Sequence, residues 1–302
     1  MVSKKQHIGL FGIGAIGSLI AAELQSENPN NEPYYFNRSP KSYIRHKRGG
    51  LKTEIPIVLS QTKQFQQALD WLIVSIKEHH FSAAMESLVD LIQPQTKIVV
   101  IRNGLNLKTP FLAFSKESQI LETNIDCPCQ LAEDGYYQSY HPPIISLAPS
   151  PLALESQSLF KNSKTTIHLV EDFKSLSWKK LCESSALGAI LCLSGKTAEV
   201  FKDKKMQELY RGLLEEGVNI AKADGAKFEM NFIEDSLRKV LSYPPEKGSS
   251  MLTDKQLGRP IEWGAKNGLI CKVGRTYSIE TPENDKILRL LKKQLTSKHK
   301  QK

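Results

Sequence analysis

Gly12-Ile13-Gly14-Ala15-Ile16-Gly17 stands between an apolar run, Ile8–Phe11, and an apolar helical stretch, Ala15–Glu23. No other part of the chain limits its fold so strongly. A glycine pattern of this kind is weak alone, but directly after a strand and at the opening of a helix it is the fingerprint of a dinucleotide-binding turn. The reasons are steric. Gly12 permits the tight turn, Gly14 lets a pyrophosphate approach the backbone, and Gly17 lets the helix lie close to the strand. The N–H groups and dipole at the helix start then favour phosphate.

The surrounding texture agrees. Short runs of strand type, Pro33–Phe36, Trp71–Ile76 and Lys97–Ile101, alternate with helical stretches such as Phe81–Ile92. Such alternation gives a mostly parallel sheet covered on both faces. From about Ser118 to Val170 the chain turns to short strands and prolines. After Val170 the strand signals stop, and Asp172–Leu193, Lys202–Ala223, Phe228–Leu241 and Asn284–Leu295 read as helices. The expected fold is an α/β Rossmann domain, doubly wound, over residues 1–170, then an all-α domain over 171–302. A chain of 302 residues is long enough for two cores. Residues 296–302 read as a frayed tail.

Parallel sheets of this type build their sites at the carboxyl ends of the strands. Where the second strand ends, an acidic residue would select NAD through the ribose hydroxyls. Here Asn37-Arg38-Ser39 offers no carboxylate, and Arg38 can form paired charge-assisted bonds to a 2′-phosphate, so the sequence favours NADPH. Lys77 follows one strand and Asn103-Gly104 another, both at carboxyl ends. In the helical part, Lys180, Ser184 and Gly188 are spaced by four and share one small, polar helix face, which suits a cleft wall. Lys179 points about 100° away and is expected in solvent. Glu262 lies between apolar Ile261 and Trp263, and the preceding Gly248-Ser249-Ser250 carries a serine able to cap a helix.

Composition closes other routes. Much of the net charge of +9 falls between Lys286 and Lys302, which holds seven Lys and Arg and no acid, so it reads as one solvated helix face and its tail. Nucleic-acid binding is not expected. The five cysteines, Cys127, Cys129, Cys182, Cys192 and Cys271, are odd in number and form no zinc spacing, and no metal site is expected. They read as reduced thiols of a cytoplasmic protein. No apolar run approaches the roughly 20 residues of a bilayer span, and the N-terminus lacks the apolar core of a signal peptide.

Taken with Lys77, Arg102-Asn103-Gly104, Trp178-Lys179-Lys180-Leu181, Ser249-Ser250-Met251-Leu252-Thr253-Asp254, Glu262 and Thr281-Pro282-Glu283-Asn284, the glycine loop resembles that of the ketopantoate reductase (2-dehydropantoate 2-reductase) family. The likeness spans nearly the whole chain, and the segment Ser249–Asp254 with a glutamate twelve residues after Ser250 is its most specific part. It implies a Rossmann domain, a helical domain and a site between them. It implies that Gly12 to Gly17, Arg38, Lys77 and Asn103 hold NADPH. It implies Lys180 as catalytic lysine with Asn103 and Glu262, and Ser184, Gly188, Ser250 and Glu262 as substrate contacts. The nicotinamide gives hydride to the 2-keto carbon, and a lysine ammonium can stabilise and protonate the oxygen. A small 2-keto acid is the partner implied, and a homodimer is compatible with the sequence.

This sequence departs from the family where asparagines usually stand four and eight residues after the lysine: here they are Ser184 and Gly188. The resemblance therefore leaves open a reductase of a different 2-keto acid, and an NADPH-binding sensor without turnover. Restoring asparagine at both positions is expected to improve ketopantoate turnover, with the helix tolerating the change at Gly188.

Overall fold

The computed structural model describes residues 5–25 and 31–298. Residues 1–4, read above for a leader, and 299–302, the end of the expected frayed tail, lie outside the described residues. Contacts divide the chain into two compact units, Met1–Arg102 with Asn106–Phe173, and Lys174–Lys302 with Asn103–Leu105.

The first unit runs β1 (Gln6–Phe11), α1 (Ala15–Gln25), β2 (Asn31–Phe36), β3 (Tyr43–Arg48), β4 (Leu51–Pro56), β5 (Trp71–Val74), α2 (Glu78–Val89), β6 (Lys97–Val100), β7 (Ile120–Glu122), β8 (Asn124–Asp126), β9 (Cys129–Leu131), β10 (Tyr137–Ser139), β11 (Ile144–Leu147), α3 (Pro151–Ser156) and β12 (Thr166–Leu169). Its main sheet has the order β2-β1-β5-β6-β7, with every pair parallel. Alternation along the strands divides the core in two. Ile8, Leu10, Trp71, Ile73 and Val99 pack with Ile20, Ala21 and Leu24 of α1. Leu72, Val74, Ile98 and Val100 face the other way and pack with Phe81 and Leu88 of α2. The sheet is therefore covered on both faces, as the sequence implies. The chain leaves β1 for β2 on one side and returns to β5 on the other, so the strand order reverses between β1 and β5. That reversal opens a crevice at their carboxyl ends, the usual ligand position in such sheets.

Two smaller sheets complete the unit, ordered β4-β3-β10-β9 and β12-β11-β8. The β3–β4 hairpin is absent from the sequence reading. Gly49 and Gly50 turn it with φ of 55° and 81°, the left-handed pair that a two-residue hairpin loop needs. The strands β5 and β6 also end earlier than expected, at Val74 and Val100.

The second unit is helical, with no strand among its described residues: α4 (Phe173–Ser194), α5 (Lys204–Ala223), α6 (Phe232–Leu241), α7 (Ser250–Gln256), α8 (Asn267–Thr276) and α9 (Pro282–Lys298). The short helices α7 and α8 are additions to the sequence reading. α6 starts four residues later than expected, and α9 continues past Leu295 to Lys298. Its core gathers Trp178, Leu213, Leu214, Ile270 and Leu291, and Leu105 packs against it, which is why Asn103–Leu105 belongs here. No helix among the described residues is long and apolar enough to cross a membrane.

Candidate functional site

The glycine loop owes its shape to contacts that exclude other residues. Gly12 has φ of 96°, and a Cβ there would lie 2.5 Å from Ile76 Cγ2. A Cβ on Gly17 would lie 1.9 Å from the Gly12 carbonyl oxygen, so α1 can approach the loop only through a glycine. Gly14 differs: a Cβ there would meet nothing within 4 Å. The space over Gly14 is open, as a bound pyrophosphate requires. The first-turn N–H groups of α1, at Ala15, Ile16 and Gly17, have no intrahelical acceptor and can donate to it. The loop is pinned from three sides. Gly12 N–H donates to the Phe36 carbonyl (2.8 Å), Ser75 Oγ donates to the Gly12 carbonyl (2.7 Å), and Ile13 N–H donates to Asn37 Oδ1 (3.0 Å). Ile13 is thus committed to Asn37 through its N–H and buried in the core through its side chain.

Arg38 follows β2 and is exposed. Lys77 is half-buried at the N-cap of α2, three residues past β5. The sequence reading missed Lys41. Its Nζ donates to the Ile13 carbonyl (2.7 Å) and lies 4.9 Å from the centre of the Tyr137 ring, and burial lowers its pKa. Cys129 Sγ donates to the Ala15 carbonyl (3.4 Å). Burial first, and Cys127 second, push its pKa up to about 12, so this thiol is a poor nucleophile.

In the second unit, the cluster rests on α4. Trp178 anchors this helix. It is fully buried, and its Nε1 donates to Asp224 Oδ2 (2.8 Å) at the C-cap of α5. Burial works to raise the Asp224 carboxyl, but bonds from Trp178, Tyr277 and Lys174 outweigh it and hold the pKa below the usual range. Lys180 and Ser184 are half-buried and Gly188 is buried on the helix so anchored. Lys179 corrects an expectation: it is not in open solvent but pairs with Glu229 (2.6 Å) beside the Phe228 ring.

Ser249 caps α7, its Oγ accepting from Leu252 N–H (3.2 Å), and Ser250 follows as an exposed first residue. Glu262 is buried, and Asn103 Nδ2 donates to its Oε2 (3.2 Å). The loop carrying Glu262 leads into α8, where buried Asn267 donates to Asn284 Oδ1 (2.9 Å). Asn284 in turn donates to Glu216 Oε2 (2.8 Å), and Glu216 also accepts the Glu283 and Asn284 N–H groups that open α9. The Thr281–Asn284 segment therefore braces the Glu262 loop.

A second residue escaped the sequence reading. Lys266 is 3% exposed; its Nζ donates to the Ser184 carbonyl (3.3 Å) and to Ser250 Oγ (3.4 Å). The only signal for it was a lysine inside the apolar stretch Ile261–Ile270. A Cβ on Gly188 would lie 2.8 Å from Met251 Sδ and 3.4 Å from Lys266 Nζ. An asparagine at 188 would therefore press on the flexible ends of the Met251 and Lys266 side chains, which would have to shift to make room for it.

Residues 8–147 match the family model Ketopantoate reductase PanE/ApbA, and residues 172–295 match its C-terminal counterpart. The chain belongs to the ketopantoate reductase family. It is an oxidoreductase of the nicotinamide-dependent, ketopantoate reductase type. A 2-dehydropantoate 2-reductase of Mycobacterium tuberculosis is 26% identical over 289 residues, covering 94% of this chain and 96% of that one. Among solved structures, a dimeric ketopantoate reductase from Staphylococcus aureus superposes with a TM-score of 0.84 at 21% identity, covering 96% of this chain and 99% of its own. D-mandelate dehydrogenase with NADH and anilino(oxo)acetate reaches 0.84 at 18% identity, covering 97% and 99%.

Proposed function

We propose that this family member reduces a small 2-keto acid with NADPH, and that 2-dehydropantoate is the first substrate to test. The observation that carries this reading is the hydrogen bond from Asn103 to buried Glu262, 159 residues apart in sequence, in the same unit as Lys180, Ser184 and Ser250. Two of the three residues assigned to catalysis are thereby joined by a polar contact at a buried carboxylate.

When bound, the nicotinamide supplies the hydride. Gly14, Ala15, Ile16 and Gly17 cradle its pyrophosphate by backbone N–H groups, with Gly12 and Ile13 shaping the turn beneath. Arg38 receives the 2′-phosphate and Lys77 adds positive charge. In the helical unit, Lys180 donates to the keto oxygen, stabilises charge as it builds there, and delivers the proton. Asn103 holds the Glu262 carboxylate, an acceptor for a substrate hydroxyl. Ser250 and Ser184 contact the substrate, and Gly188 sets the room beside them. A cytoplasmic homodimer is the assembly we assign; the Staphylococcus aureus relative is a dimer.

A second reading, reduction of another 2-keto acid, is favoured by one observation: the space beyond Gly188 is taken by Met251 and Lys266 rather than by an amide. Steady-state turnover with NADPH across a panel of 2-keto acids tests both readings. We expect turnover, led by 2-dehydropantoate or by an acid of similar size. Cofactor binding with no turnover on any acid would instead indicate a sensor.

A further inference from the structure

We propose that Lys266 is a positioning residue for the substrate carboxylate, taking the place on α4 where Gly188 has no side chain and setting Ser250 as a donor toward the acid. This rests on the 2-keto acid reading above.

The argument starts from the cost of the arrangement. A lysine ammonium is rarely buried, because losing water is expensive. Lys266 is nonetheless 3% exposed, and two of its donors are directed to the Ser184 carbonyl and Ser250 Oγ, both beside the α4 face. Its Nζ lies 3.4 Å from the point where a side chain at 188 would begin. The glycine and the lysine are therefore one device: a larger residue at 188 would displace the amine.

Polarity then fixes the role of Ser250. An ammonium only donates, so Ser250 Oγ accepts from Lys266 and must turn its own hydrogen elsewhere. Ser250 is exposed at the start of α7, with its hydroxyl available to a ligand. A hydroxyl so oriented suits an acceptor, and the adjacent positive charge suits an anionic one. A carboxylate meets both demands. An ester or amide of the same acid offers the acceptor without the charge.

The test uses the full chain and compares a 2-keto acid with its methyl ester. Lys266→Met should fold, bind NADPH normally in a fluorescence titration, and raise KM for the acid about tenfold or more, with a smaller change in kcat. KM for the ester should hardly change, so the preference for acid over ester shrinks, an effect that loss of packing alone would not produce. Lys266→Arg should recover part of the acid KM. Ser250→Ala should cost less in the Lys266→Met background than in the wild type. If Lys266→Met does not fold, Lys266→Gln carries the same test. Wild-type acid KM in either variant, or equal losses for acid and ester, would overturn the proposal while leaving the 2-keto acid reading intact. A wild type that turns over no 2-keto acid would overturn both.

Discussion

The glycine loop of the first unit and the α4 cluster of the second are built on opposite principles. The loop is made by backbone from six adjacent residues, and its rules are steric: at Gly17 nothing larger than hydrogen fits. The cluster is made by side chains from four distant segments, at Asn103, on α4, at Ser250 and at Glu262–Lys266. A backbone site tolerates almost no substitution at its contact points but asks little of identity elsewhere. A side-chain site can exchange one donor for another from a different segment, as Gly188 and Lys266 do here. The comparison teaches that a site built by backbone can stay fixed while a cluster built by side chains is rewritten.

Substitutions at two glycines of the loop give the largest expected contrast. Gly17→Ala should destabilise the first unit by about 3 kcal/mol, because a backbone carbonyl cannot yield as a side chain can. Gly14→Ala should leave the melting temperature unchanged and weaken NADPH binding, since only the ligand occupies that space. Thermal melts and cofactor titrations on both variants check this; equal melting losses would break the distinction. In the cluster, Gly188→Asn should cost about 1–3 kcal/mol by crowding Met251 and Lys266, and should lower turnover. Improved 2-dehydropantoate turnover in a folded Gly188→Asn variant would show that the pocket can be restored by asparagine after all.

Cofactor choice comes next. Arg38→Ala should erase about tenfold of the preference for NADPH over NADH, measured as the ratio of dissociation constants. Equal wild-type affinities would remove the role given to Arg38. The smallest effect concerns the anchor of α4. The Asp224 pKa is depressed on folding, so its stabilisation is full above the unfolded carboxyl range and lost as pH falls from there through the lower folded value. Asp224→Asn should therefore lower the melting temperature near neutral pH and make little difference in acid. An unchanged gap in acid would assign the effect to packing.

Much of this was legible in the sequence because the signals were local. The strand–glycine–helix order at Ile8–Glu23 and the β-type runs at Trp71 and Lys97 carry their own burial pattern, and the parallel sheet follows from them. The β3–β4 hairpin was not read because its strand Tyr43–Arg48 buries only Ile44 and His46 firmly and looks like a polar loop, although Gly49-Gly50 marks its turn. Helix α7 was hidden by its seven-residue length, and α8 by the weak helix formers Asn267-Gly268 at its start. Lys180 was singled out by helix-face spacing and Glu262 by its apolar neighbours, and the roles expected of them come from resemblance, which spans distance in sequence. Lys266 was not, because a buried lysine announces itself only through what surrounds it in space, and its partners Ser184 and Ser250 are 82 and 16 residues away.

The most direct test of the account is the turnover number of Lys180→Ala beside wild type, with NADPH and the best 2-keto acid of the panel. Charge on the keto oxygen exists mainly in the transition state, so kcat and kcat/KM should fall together by about 10²–10⁴, with NADPH affinity unchanged. Lys179→Ala, which loses the surface contacts with Glu229 and the Phe228 ring, should remain near wild type. A Lys180→Ala enzyme that keeps near-wild-type kcat would contradict the account.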